Sequence, residues 1–330
     1  MSAGSDTMNA EAPRAIRPER TRADRVYRGV AIAAGLVTLV VLFLIGLFLF
    51  LRAIPAWRDN GWRFFTTSTW NPDSPTAGYH SGVLGLLLGT IQIALIALVI
   101  AVPIAILTAL FLTEYVPGRM RRPLTSVLDL LAAVPSLIYG IWGFFFLQPH
   151  LIGVSTWLAN NLGFIPLFST PDGPFFAASP FIAGVLVALM LMPTATSVMR
   201  EVFSQAPQGE KEAALALGGS RWRMIRKVVL PFGRGGIVGG SMLALGRALG
   251  ESISVAIIIS AVFKFNPYML NTGGNSIGAH IANRFGDAQP QHGLPALMGA
   301  GLVLFVLTLV VNTVASLIVR RSRSGAGVEI

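Results

Sequence analysis

The stretch that decides the fold is Glu210-Lys211-Glu212-Ala213-Ala214-Leu215-Ala216-Leu217-Gly218-Gly219-Ser220-Arg221-Trp222-Arg223-Met224-Ile225-Arg226-Lys227-Val228-Val229-Leu230-Pro231. It reads as helix, break, helix. Glu212 through Leu217 are good helix formers. Gly218 and Gly219 stop the first helix, because a glycine accepts the left-handed turn that closes a helix at low cost. Ser220 is placed to cap the second helix, and Pro231 ends it, having no N–H to donate. Trp222, Ile225 and Val229 are expected on one face of that second helix by their i, i+3, i+7 spacing, with Arg223 and Lys227 on another. A basic amphipathic helix of this kind either lies on anionic lipid or docks on a partner.

Working outward, the loop lies between long apolar runs. The 330-residue chain is 53% hydrophobic and only 12% charged, and its mean hydropathy is +0.66. A soluble domain carries about 25% charged residues, so the composition points to a bilayer as solvent. About 20 apolar residues span a bilayer as a helix. Six segments qualify: 29–51, 83–112, 124–147, 179–200, 235–262 and 293–319. The expected fold class is therefore an all-α polytopic membrane protein. A tail, 1–28, precedes the membrane domain 29–320, and a short tail, 321–330, follows it; the polar, Arg-rich 1–28 is expected to be disordered. The first run is too long for a signal peptide's apolar region, and no A-x-A-like site follows it.

The net charge is +10, and the basic residues are sorted by loop. Residues 1–28, 113–123, 201–234 and 320–330 are rich in Arg and Lys, whereas 148–178 has neither. With six alternating spans, all the basic segments fall on one side. The positive-inside rule makes that side, and both termini, cytoplasmic. The first outer loop, 52–82, holds Trp57, Trp62, Phe64, Phe65, Trp70 and Tyr79, expected at the membrane interface rather than in a ligand cage.

The chain has no cysteine, which excludes disulfides and thiolate chemistry. His80, His150, His280 and His292 are scattered through expected loops without metal-ligand spacing, so no metal site is expected. No G-x-x-x-x-G-K-[ST] loop cradles phosphates. Glu114, Asp129 and Glu251 lie on separate segments without His or Cys nearby, which argues against an enzyme.

The fifth span carries Arg247 and Glu251. Four residues apart, they are expected on one helix face. An ionisable group at the bilayer centre costs about 2.5–3.5 kcal/mol and usually lines a pathway. Two readings remain: a structural salt bridge, or an Arg247 that handles a translocated anion while Glu251 tunes it. Arg suits oxyanions through its forked donors. Gly236 and Gly240, and Gly246 and Gly250, show the small-xxx-small spacing that permits close helix packing.

Glu212-Ala213-Ala214, then Gly218, then Val228 and Leu230-Pro231, resembles the EAA loop of ABC importer permeases. Pro135-Ser136-Leu137-Ile138-Tyr139-Gly140-Ile141-Trp142-Gly143 and Gly246-Arg247-Ala248-Leu249-Gly250-Glu251-Ser252 resemble signatures of phosphate importer permeases. Gly89-Thr90, Ala101-Val102-Pro103 and Leu112-Thr113-Glu114-Tyr115 are similar to the same family, and Trp70-Asn71-Pro72 in a long first outer loop resembles its PstC-type subunit more than the PstA type. The resemblance covers roughly 29–320. It implies the type I importer permease fold in a bacterial cytoplasmic membrane, with half of a translocation pore for inorganic phosphate. It implies a PstA-type partner permease, two PstB-type ATPase subunits that bind ATP and magnesium, and a PstS-type binding protein outside. It further implies that Arg247 and Glu251 lie on the substrate pathway, and that Glu212, Ala213, Ala214, Gly218 and Arg221 couple to the ATPase. An ABC permease for sulfate or phosphonate, an ion-coupled secondary transporter and a non-transporting scaffold are the alternatives. Secondary transporters often show internal repeats, and none is evident in this sequence.

Overall fold

The computed structural model describes residues 22–76, 78–171 and 173–323. Most of the expected tail 1–28, and residues 324–330 of the second tail, lie outside them. The chain divides into two compact units, 1–48 and 49–330. The described part of the first is helical throughout, so the expected disordered tail is already helix from Arg22.

Among the described residues every named element is helical, and apart from short turns of helix such as Arg63–Thr66 and Leu230–Phe232 they are, first, α1 (Arg22–Asn60), α2 (Leu84–Leu110), α3 (Gly118–Ala133), α4 (Ser136–Trp142), α5 (Gln148–Leu162) and α6 (Pro180–Ser204). Then follow α7 (Gln208–Ala216), α8 (Arg221–Met224), α9 (Arg234–Gly250), α10 (Ile253–Ile258), α11 (Ile277–Arg284) and α12 (Gly293–Arg323). Among the described residues, five helices are long and apolar enough to cross a membrane, and six if the pair Arg221–Phe232 and Arg234–Gly250, bent by 67°, counts as one.

Three expectations about the spans shift. The first helix continues past residue 51 to Asn60, through Pro55. The third span does not occupy 124–147. The chain breaks at Val134 (ψ 129°) and Pro135 (ψ 140°), and the apolar helix is Ser136–Leu162, widened at 143–147. A residue before proline is pushed out of the helical region, so Pro135 divides the run and leaves α3 as a separate amphipathic helix. The fifth span is not continuous over 235–262. Helix α9 ends at Gly250, Glu251 is extended (ψ 126°), and only the short α10 follows.

The core of the second unit is built on α2 and α6. Ala94, Ala97, Ala101, Ala105 and Ala109 recur every three or four residues and are buried against Ile182, Ala183, Leu186 and Leu191. Small side chains let the two axes come close. Gly236 and Gly240 of α9 perform the same service: an added Cβ would press on Val202 in one case and on Met199 and Ala195 in the other. The expected second pair differs, since Gly246 faces Asn312 of α12 while Gly250 has open space around it.

A second cluster holds Phe64, Trp70, Val83, Leu86, Ile277, Ala296 and Ala300. Phe64 and Trp70 are therefore core residues and not interfacial ones, while Trp62 stays exposed. The segment after α10 returns across α2. Gly89 leaves room for the Asn275 carbonyl, and the Thr90 hydroxyl accepts the Ile277 N–H at 2.9 Å.

Candidate coupling loop and transport site

The loop 205–233 projects two short helices. Gln208–Ala216 closes with the Gly219 N–H on the Ala214 carbonyl at 3.2 Å and the Gly218 N–H on the Leu215 carbonyl at 3.0 Å. Gly218 sits at φ +77°. This bonding pattern is a Schellman cap. The Ser220 Oγ then accepts the Arg223 N–H at 3.3 Å, capping α8. The expected stop and start signals are both realised.

Glu212, Ala213, Leu215, Leu217, Gly218, Arg221, Trp222 and Arg223 are exposed, Leu217 at 88%, and Ala214 is half-buried. Leu217 and Trp222 are thus both large apolar side chains left exposed on this loop. Trp222 does not share the buried face of Ile225 and Val229; Met224 takes that place. The residues 225–229 form a wider π turn, which shifts the angular spacing away from that of an α-helix.

The loop is anchored from within. Lys211, the one residue of α7 that is buried, donates its ammonium Nζ to Glu114 Oε1 at 2.7 Å. The Arg221 guanidinium stands 5.4 Å from the centre of the Tyr115 ring. Sequence reasoning missed both partners of Lys211 and Arg221, because 97 residues separate Lys211 from Glu114.

Arg247 lies in the last turn of α9, half-buried, and donates from Nη1 to Thr194 Oγ1 of α6 at 3.1 Å. Glu251 has left the helix. Its Oε1 accepts the Ser254 N–H at 3.2 Å and the Ser254 hydroxyl at 2.8 Å, capping α10. Glu251 lies beyond the end of the helix, so the expected shared face is corrected, and of the two readings the structural salt bridge between Arg247 and Glu251 does not form. Four-residue spacing places two groups together only while the helix continues, and this helix ends between them. Among the described residues Arg247 makes one side-chain hydrogen bond, to Thr194, out of its five N–H donors. Below it on α6, Ser197 donates to Asp129 Oδ1 at 3.3 Å and Arg200 donates to Thr125 Oγ1 at 2.8 Å, both on α3. Thr194, Ser197 and Arg200 are three apart and share one stripe of α6.

On the side of the first loop, Trp70 meets the His280 ring edge-on at 4.4 Å. His280 is buried and helical, contrary to the expected solvated loop histidine. Burial, helped by the Arg284 charge, lowers its pKa to about 4. His292 Nδ1 lies 2.9 Å from Asp59 Oδ2. No group of three or more His, Cys, Asp or Glu able to hold a metal occurs among the described residues.

The sequence profile described as "Binding-protein-dependent transport system inner membrane component" matches residues 101–324. The chain belongs to this family. The matched region takes in both the α7–α8 loop and Arg247. Among relatives, the "Phosphate transport system permease protein PstC 2" of Mycobacterium tuberculosis is 40% identical over 301 residues, covering 91% of this chain and 92% of the relative. The "Phosphate transport system permease protein PstC" of Xylella fastidiosa strain 9a5c is 38% identical over 302 residues, covering 91% of each. The structure of a bacterial ABC transporter involved in alginate import superposes with a TM-score of 0.55 at 17% identity, covering 91% of this chain and 98% of that one. This membrane component therefore has the fold of ABC importer permeases and is an integral membrane protein, a transport subunit in a multi-chain importer.

Proposed function

We propose that this chain is the PstC-type permease subunit of an ATP-driven importer of inorganic phosphate. The observation that carries the reading is its 40% identity, over nine-tenths of both chains, to a phosphate transport permease. The exposed α7–α8 loop supports the ATP-driven half of the reading.

In this reading the chain sits in a bacterial cytoplasmic membrane with both termini inside. It forms half of the pore beside a PstA-type permease. A PstS-type protein delivers phosphate from outside, and two PstB-type ATPases bind ATP and magnesium; this subunit contributes no catalytic residue of its own. Glu212, Ala213, Ala214, Gly218 and Arg221 meet the ATPase. The small side chains allow close helix approach, Glu212 offers a charge to a basic site, and the Gly218 turn fixes the angle between α7 and α8.

Arg247 provides the anion contact. Its guanidinium is held by Thr194 and keeps donors for an oxyanion, whose oxygens match the planar fork. Glu251 acts indirectly: by capping α10 it ends α9 one turn beyond Arg247 and keeps a carboxylate off the guanidinium. ATP-driven approach of the ATPase subunits moves the α7–α8 loop, and the spans rock to expose Arg247 alternately to each side.

The test is uptake of radiolabelled phosphate into vesicles that hold this chain, its partner permease, the ATPase and the binding protein. ATP-dependent uptake that sulfate does not compete supports the reading. Competition by sulfate moves the substrate to another oxyanion, and uptake driven by membrane potential without ATP replaces the machine with a secondary transporter.

A further inference from the structure

The Leu112-Thr113-Glu114-Tyr115 stretch has no part in the anion contact, yet it sits where α2 meets the coupling loop. Helix α2 ends in a π turn, Phe111–Tyr115, closed by the Val116 N–H on the Phe111 carbonyl at 3.0 Å. Such a widened turn is frequent at functional sites. Here it accompanies two adjacent side chains that both touch the loop. Glu114 accepts from Lys211 at 2.7 Å, with the two side chains 7% and 8% exposed, and Tyr115 receives the Arg221 guanidinium on its ring. Arg121 of α3 closes the corner by donating Nη2 to the Thr113 carbonyl at 2.7 Å.

We propose that Glu114 and Tyr115 are the socket through which a displacement of the coupling helix α7 reaches the membrane-spanning helices, with the Lys211–Glu114 ion pair as its positioning contact. The inference rests on the importer reading above and adds the intramolecular part that the docking surface lacks. The covalent routes out of α7 run through Ala206-Pro207 to α6 and through the Gly218-Gly219 turn to α8. The side-chain route reaches α2 directly. Lys211 points inward where Glu212 and Leu215 point out, and a dry ion pair resists separation because parting it strands a buried charge. From Glu114 the route enters α2, whose Ala101, Ala105 and Ala109 are buried in one core with Ala195, Met199 and Ala244 of α6 and α9. Arg247 is on α9 and its partner Thr194 on α6, so α2 shares its core with both helices that hold the guanidinium.

The experiment uses the complete four-component transporter in vesicles and reads phosphate taken up per ATP hydrolysed, together with the amount of assembled complex. The variants are Glu114→Gln/Lys211→Met, which removes the link without leaving a lone charge, and the exchange Glu114→Lys/Lys211→Glu, which restores it reversed. The neutral pair is expected to assemble and hydrolyse ATP while its uptake per ATP falls by about tenfold, the scale of an ordinary coupling between sites. The exchange is expected to recover most of that ratio. An unchanged ratio in the neutral pair, whatever its assembly, overturns the socket and leaves the importer reading standing. So does an exchange variant that assembles but remains as poorly coupled as the neutral pair. Wild-type vesicles that fail to couple uptake to ATP sink the importer reading, and this inference with it.

Discussion

Arg247 donates to Thr194 and makes no salt bridge among the described residues, which in the proposed reading leaves its charge for an anion. A hydrogen bond to a charged group is worth roughly 1.5–3 kcal/mol, so Arg247→Ala is expected to lower phosphate uptake by about 10- to 100-fold while the complex still assembles. Arg247→Lys keeps the charge but loses the fork and falls between the two; equal uptake in all three proteins would assign Arg247 a structural role. His280 is the residue with a readable pH response. Its folded pKa, about 4, lies below the ordinary 6.5 because of burial and the Arg284 charge. The unfolded chain therefore binds more protons between those values, and the stability from a neutral, packed His280 is complete above pH 6.5 and is lost as pH falls through 4. Thermal midpoints of purified protein at pH 7 and pH 5 measure this, and His280→Phe is expected to flatten the difference. Arg247 was legible as an isolated charge in an apolar run. Its partner was not, because Thr194 lies 53 residues away.

At the scale of elements, two glycines carry separate tasks. Gly218 holds the turn between α7 and α8 at φ +77°, a conformation that costs an L-residue about 1–2 kcal/mol. Gly218→Val is expected to leave the spans intact and lower ATP-dependent uptake, by misdirecting α8; uptake at the wild-type rate would show that the turn angle is unimportant. Gly89 lies under the Asn275 carbonyl. Gly89→Ala must push the 259–277 segment off α2, and overpacking of this kind typically costs about 1–3 kcal/mol, visible as a lowered melting temperature. The Gly218 turn and the Ser220 cap were readable in advance because caps depend on consecutive residues. The third span lies some twelve residues beyond the expected 124–147, because Val134-Pro135 divides an apolar run that hydropathy alone treats as continuous.

For the whole molecule, the sorting of Arg and Lys sets the predicted orientation. The absence of native cysteine makes this directly testable. A single cysteine at Leu217 is expected to react with an impermeant reagent only after cells are opened, and one at Phe164 in intact cells. The reverse pattern would invert the topology and detach the loop 201–234 from any cytoplasmic ATPase. The buried Lys211–Glu114 pair and the α2–α6 alanine seam tie the expected cytoplasmic end of the molecule to the layer that holds Arg247.

Local residue patterns already put the chain in a bilayer, indicate roughly where most of its spans fall, and call for a capped helix–turn–helix between α6 and α9. Those features follow from hydropathy and from capping chemistry, which are properties of neighbouring residues. That Glu251 leaves α9 and caps α10, that Arg247 turns to α6, and that Lys211 is buried against Glu114 emerges first in the folded chain. Each of these is a competition among partners far apart in the chain, and in a low-dielectric interior the winner is the partner that the fold brings within hydrogen-bonding distance.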